Sequence, residues 1–187
     1  MRVVLILLGV LLVACVPTHK KQAFLAGMPD WMVQDQSMYV TRGVDSSHVI
    51  NGEVKKSEAI ARERARFRVA IHIAGKIKDV FKRTQNANQK PYDDAIFEEI
   101  TQAIANSLDK EEQLGEYINP NNQEVFMLVR VNSYSVMRLG RGLSEIKTLD
   151  PETIKQIMSG VQKVFNEAVL EKDAKSNHDF TQNRGGH

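Results

Sequence analysis

The apolar residues of this chain change their spacing along its length, and each spacing predicts a different element. An apolar run, Val3 to Val13 broken only by Gly9, opens it. Ser37 to Val44 (Ser-Met-Tyr-Val-Thr-Arg-Gly-Val) is rich in strand formers and predicts a first strand, with Gly43 marking a bulge or a close packing contact. Asp45 to Gly52, with Asp-Ser-Ser and Asn-Gly, is turn chemistry. From about Val54 to Arg83 the period becomes helical. Ile60, Phe67, Ile71, Ala74, Ile77 and Phe81 recur at steps of three, four or seven and share one face, flanked by Ala59 and Ala70. Arg64, Arg68, His72, Lys76 and Lys82 take the other side as a solvated face balanced by Glu58 and Asp79. Glu63 falls inside the apolar stripe, where pairing with a nearby arginine accounts for it better than acid catalysis.

Thr84 to Lys90 is polar and reads as a loop. Pro91 then suits a helix start, and Asp93 and Asp94 favour its first-turn dipole. Tyr92, Ile96, Ile100, Ala103, Ile104 and Leu108 repeat at helical spacing, so this helix folds back on the first as a helical hairpin. Gln113 to Ile118 is a short strand, Asn119-Pro120-Asn121-Asn122 a turn, and Glu124 to Val131 a strand. Along the last of these Val125, Met127, Val129 and Val131 face one way, and Phe126 and Leu128 the other. A sheet with one wet face alternates apolar and polar positions more cleanly, so both faces should be covered.

Ser133 to Thr148 is ambiguous, because Gly140 and Gly142 interrupt a possible helix. Asp150-Pro151 starts a helix, and Ile154, Ile157, Met158, Val161, Val164, Phe165 and Ala168 make an amphipathic stripe. Either that helix covers the second face of the sheet, or Ile154, Ile157, Met158, Val161 and Phe165 form an assembly face for another chain. The elements add up to an α+β domain in the order β-α-α-β-β-α, a small antiparallel three-stranded sheet packed on a long helical hairpin. Trp31, beside Pro29, is expected to plug the edge of its core.

The opening run has a use outside the fold. A positive start at Arg2, an apolar stretch and the small residue Ala14 describe a secretory signal peptide. The stretch is too short for a spanning helix, which needs about 20 apolar residues. Leu12-Val13-Ala14-Cys15 resembles the lipobox of bacterial lipoprotein precursors. That resemblance implies cleavage between Ala14 and Cys15 and lipid on the Cys15 thiol and the new amine. Cys15 is the only cysteine, so no disulfide framework is available. The expected division is a signal peptide at 1–14, a lipid-anchored linker at 15–28, the α+β domain at 29–149, an amphipathic helix at 150–172 and a disordered tail at 173–187. The mature domain would hang from a membrane through Cys15. Val16 rather than Asp after the cysteine resembles the outer-membrane pattern, so the periplasmic face of the outer membrane is the expected location.

Charge removes other roles. The chain carries 25 basic and 23 acidic residues, a balance that names no polyanionic partner. His19, His48, His72, His178 and His187 make no ligand spacing. Leu-Gly-Arg-Gly-Leu-Ser lacks the ending of a phosphate loop, and no Gly-x-Ser-x-Gly elbow is present. The β-α-α-β-β-α order also occurs in KH nucleic-acid modules, but their Gly-x-x-Gly clamp has no counterpart in the glycine-free loop Thr84 to Lys90. The expectation is a protein that is not an enzyme, with no cofactor, no metal, no nucleic acid and no evident small-molecule substrate.

The lipobox, Pro-Asp-Trp, the first strand, the alanine-punctuated helix from Ser57 to Arg66 and Glu124-Val125-Phe126-Met127-Leu128-Val129 occur in that order. Together they resemble the small bacterial outer-membrane lipoprotein family named for a twenty-kilodalton member, which includes the flagellar assembly lipoprotein FlgP. The resemblance covers roughly residues 12–132. It implies a non-catalytic outer-membrane domain with a structural or assembly role in the envelope, associating with itself or with envelope or flagellar proteins. The alternative is a periplasmic ligand-binding module, for example for peptidoglycan.

Overall fold

A computed structural model describes residues 27–34, 38–87 and 94–182. Contacts divide the chain into two units, at Gln34 and Asp35. Of the first, the described part is a four-residue helix, α1 (Asp30–Val33), which buries none of its residues. Trp31 is half-buried.

The second unit runs β1 (Arg42–His48), α2 (Val54–Ala87), α3 (Asp94–Ser107), β2 (Leu108–Asn119), β3 (Glu124–Tyr134), α4 (Val136–Glu145) and α5 (Pro151–Gln182). It is an α+β fold with an antiparallel three-stranded sheet in the order β1-β3-β2. The hairpin has unequal arms, 34 residues in α2 and 14 in α3. Ser133 to Thr148 resolves into the end of β3 and the additional helix α4, capped by Ser135, whose hydroxyl accepts from the Arg138 N–H at 3.3 Å. The Asp150 carboxylate caps α5, accepting from the Thr153 N–H and hydroxyl, each at 2.9 Å. That helix continues to Gln182, past residue 172.

The first strand lies later than its composition suggests. Arg42–His48 takes in Asp45-Ser46-Ser47, residues that alone favour a turn. Tertiary contacts reverse that preference: Ser47 is buried, and Asp45 faces α2 beside Arg68. The turn proper is Asn51-Gly52, where both residues have positive φ.

Helix α2 packs across β1 and β3, and α3 and α5 pack on α2. The core is built from Met127, Val129 and Val131 of β3, the buried face of α2, and the inner faces of α3, α4 and α5. That face of α2 is rotated from the stripe of large residues. Ala61, Ala65, Val69, Ile73, Ala70, Ala74, Ile77 and Phe81 are buried, while Ile60, Phe67 and Ile71 are only half-buried. Ala59 is exposed, and the Glu63 side chain is 71% exposed beside Arg66. The cause is β1. A Cβ on Gly43 would lie 2.0 Å from the Ala65 carbonyl oxygen and 3.1 Å from a Val69 methyl. Helix and strand approach so closely that small residues, Ala61, Ala65 and Val69, line the helix and glycine the strand, and the bulkier residues turn aside. Gly43 thus marks a close packing contact.

This rotation is testable by a pair of variants. Phe81 is fully buried and stacks on Phe97 at 6.3 Å, so Phe81→Ala should cost about 3–5 kcal/mol. Phe67→Ala should cost about 1 kcal/mol, near the centre for ordinary substitutions. Urea melts in which Phe67→Ala is the costlier change would restore the original face.

Candidate functional site

The sheet has two edges, and both are managed. Thr41 and Val49 exchange backbone hydrogen bonds with the β3 side, so the alternate residues Arg42, Ser46 and His48 turn their backbone groups outward. Side chains of α2 meet those carbonyls: Ser57 Oγ donates to His48 at 2.9 Å, Arg64 donates to Ser46 at 2.9 Å, and His72 Nδ1 lies 3.1 Å from the Arg42 oxygen. Arg68 adds an ion pair to Asp45 at 2.7 Å. The cationic side of the helix is therefore not merely solvated. It seals an edge strand.

At the other edge, β2 is blunted by its own chemistry. Lys110 sits in the left-handed region, and the register slips by one residue between Gln113 and Gly115. Arginines from three elements hold the acidic strand: Arg62 on Glu111 and the Gln113 side chain, Arg130 on Glu112, and Arg138 on Asp109. Burial pushes the Glu111 carboxyl above the usual range, against the opposing pull of Arg62 and Arg66.

The two faces of the sheet differ. Directly opposed residues share a face. Met127, Val129 and Val131 turn to α2, whereas Phe126, Leu128 and Arg130 turn away with Ser46, Val44 and Arg42 of β1 and with Tyr117, Gly115 and Glu112 of β2. Helix α5 packs on α2 instead of covering this second face. On it, the Tyr117 and Phe126 rings lie side by side, 6.3 Å between centroids and tilted by 38°. The next row of the ladder pairs Gly115 with Leu128, which is 3% exposed. Beside Phe126, Ser46 donates to Glu124 at 2.6 Å, and two rows along the ladder Arg130 stands 3.7 Å from Glu112, to which Asn132 donates at 3.3 Å. Both rings are half-buried.

Of the residues singled out from sequence, Ala14 and Cys15 lie outside the described residues, as do the linker up to residue 26 and the last five residues of the chain. The stripe on α5 is occupied within the chain. Ile157 and Val161 are fully buried and Phe165 is 6% exposed, with Ile154 and Met158 packed against the same core. Gly160 lets α5 close on α2, since a Cβ there would sit 2.9 Å from an Ile77 methyl. The rings opposite each other across β2 and β3 were only half legible. Phe126 falls on the outward face by alternation, but the bulge before Gly115 hides the placement of Tyr117.

Among the described residues no helix is long and apolar enough to cross a membrane. No curated protein matches the chain. A family model does, over residues 20–169, and it is that of the TNF-alpha-inducing protein of Helicobacter. This match overturns the resemblance to the twenty-kilodalton lipoprotein family, whose Pro-x-Trp and alanine-spaced helix are soft motifs shared by order alone. The flagellar association came only through that resemblance and loses its support. With the match spanning most of its length, the chain belongs to the family of the TNF-alpha-inducing protein of Helicobacter.

Proposed function

We propose that this chain is a non-catalytic domain of the bacterial envelope, anchored by lipid on Cys15 at the periplasmic face of the outer membrane, with a structural or assembly role there. The observation that carries the reading is Leu12-Val13-Ala14-Cys15, a small residue and the sole cysteine directly after an apolar run. The ionic side chains of the fold agree with it, since Arg62, Arg64, Arg68 and Arg138 are engaged in holding strands. The family's Helicobacter protein is described by the induction of TNF-alpha, an effect rather than a reaction, which suits a protein that acts by being bound. One acyl chain contributes about 0.8 kcal/mol per buried CH₂ and anchors only marginally, so two or more chains on Cys15 are needed for lasting attachment.

A palmitate analogue fed to cells should label the wild type and leave Cys15→Ser unlabelled and free of the membrane fraction. Label on Cys15→Ser, or release of the wild type by salt alone, would sink the anchor. A second reading, a periplasmic ligand-binding module, is favoured by the sheet face that carries Tyr117 and Phe126.

A further inference from the structure

We infer that Asn51 is a site of spontaneous covalent modification, where the folded chain converts its side-chain amide to aspartate and isoaspartate without an enzyme. Asn51-Gly52 is the single asparagine–glycine step in the sequence, and every other asparagine is followed by a residue with a side chain. The reaction joins the Gly52 backbone nitrogen to Cγ of Asn51. The Cγ–Nδ2 bond breaks, and ammonia leaves with the proton of the Gly52 N–H. Water then opens the cyclic imide. Opening at the side-chain carbonyl gives aspartate. Opening at the main-chain carbonyl gives isoaspartate, whose backbone runs through the former side chain. Water is consumed and ammonia released, with no change of oxidation state.

The turn leaves both reacting groups available. Asn51 and Gly52 are exposed, with φ of 54° and 74°. The Glu53 N–H closes the turn on the Ile50 carbonyl at 3.0 Å, and the Val54 N–H takes the Gly52 carbonyl at 3.0 Å. Among the described residues neither the Gly52 N–H nor the Asn51 carboxamide has a hydrogen-bond partner. No bond must therefore be broken before the nitrogen attacks. Nothing lies within 4 Å of where a Gly52 Cβ would stand, so no side chain screens that nitrogen. Attack requires Asn51 to swing out of the left-handed region, which an L residue occupies at some cost. Gly52 can follow that swing, because glycine holds either sign of φ about equally well.

The turn joins the end of β1 at His48 to the start of α2 at Val54. Ser57 Oγ donates to the His48 carbonyl at 2.9 Å and so ties the strand end to the helix across the turn. Isoaspartate inserts an extra backbone carbon into this connection and loosens the tie. Aspartate keeps the backbone length and adds a negative charge ahead of α2, whose first turn carries no acidic residue. That charge suits the positive end of the helix. The two products thus act on the junction in opposite directions.

The test is ageing of the full-length chain, held in detergent in mildly alkaline buffer, beside Asn51→Gln and beside wild type unfolded in urea. Ageing continues until the urea sample has converted, which shows that the conditions suffice. Folded wild type should gain isoaspartate, detected with an isoaspartyl methyltransferase, and peptide mass spectrometry with electron-transfer fragmentation should place it at residue 51. Asn51→Gln, which would have to close a larger ring, should lose most of that signal while keeping the circular dichroism spectrum of wild type. In the isoaspartate fraction the Val49 amide, bonded to the Gln123 carbonyl at 2.9 Å, should exchange faster than in fresh protein. Folded wild type that stays unmodified, an equal signal from folded Asn51→Gln, or isoaspartate that arises mainly at other asparagines would each overturn the site. An unchanged Val49 amide would overturn the loosening of the junction.

Discussion

Val161→Asp together with Phe165→Asp should unfold the domain outright rather than dissociate an assembly. Val161 is fully buried and Phe165 is 6% exposed, stacked on Tyr134 with 4.9 Å between ring centroids. Removing a buried aromatic costs about 3–5 kcal/mol. Each carboxylate forced into the same apolar layer either stays charged without a partner or takes up a proton, and both outcomes cost several kcal/mol more. Domains of this size have only about 5–15 kcal/mol in total. The far-UV circular dichroism signal of the double variant should therefore collapse at room temperature, and its urea transition should disappear. A variant that keeps a cooperative melt near that of wild type would place α5 outside the core and revive the stripe as a contact surface between chains.

The second large effect is expected at a residue with no side chain. Gly43→Ala adds one methyl group, yet that carbon would lie 2.0 Å from the Ala65 carbonyl oxygen. Overpacking a core costs typically 1–3 kcal/mol when side chains can move aside. In this position the nearest atoms belong to the backbone of α2, which cannot rotate away, so about 3 kcal/mol or more is expected. β1 would be pushed off the helix, and the hydrogen bonds from Ser57, Arg64 and His72 to its carbonyls would lengthen with it. Hydrogen exchange should report faster amide exchange in β1 than in the β2–β3 hairpin, with the midpoint of the melt lowered. An alanine variant as stable as wild type would show that helix and strand stand farther apart than described. Gly140 is a useful control, since a Cβ there meets only the flexible end of Met158 at 3.6 Å.

These two positions also mark what could be read from the chain beforehand. The α5 stripe was legible because its apolar residues are large and regularly spaced, and Asp150-Pro151 announces its start. Spacing does not reveal what covers a stripe, and so its burial within the chain was undetermined. The face of α2 was misread for the opposite reason. Its true contact with β1 is lined by Ala61 and Ala65, which carry little hydrophobic signal, while Ile60, Phe67 and Ile71 advertise a stripe that is half in solvent. Only the partner strand, with glycine at 43, explains why small residues belong inside. The second half of β1 was read as a turn because Asp45, Ser46 and Ser47 are polar, and they are tolerated because an arginine-bearing helix lies against them. The outward sheet face was partly legible through the alternation of β3, but its aromatic pair needed the slipped register of β2.

One junction in this fold acts as a phase lock. α3 ends at Ser107 and β2 begins at Leu108, with no residue between them. The carbonyls released at the helix end are taken up by Arg66, on Ala105 and Leu108, and by Arg138, on Ser107 and Leu108. A helix advances by about 100° per residue, from 3.6 residues per turn, and a strand alternates by half a turn. With no loop to absorb a change in length, a single residue inserted or deleted here must either swing the buried side of α3 away from α2 or exchange the two faces of β2. The turn at Pro120 to Gln123 can take up such a change, because it lies between strands at the rim of the sheet. A change of length is thus expected to be tolerated in the turns, and the Ser107–Leu108 step keeps helix and sheet in a common register.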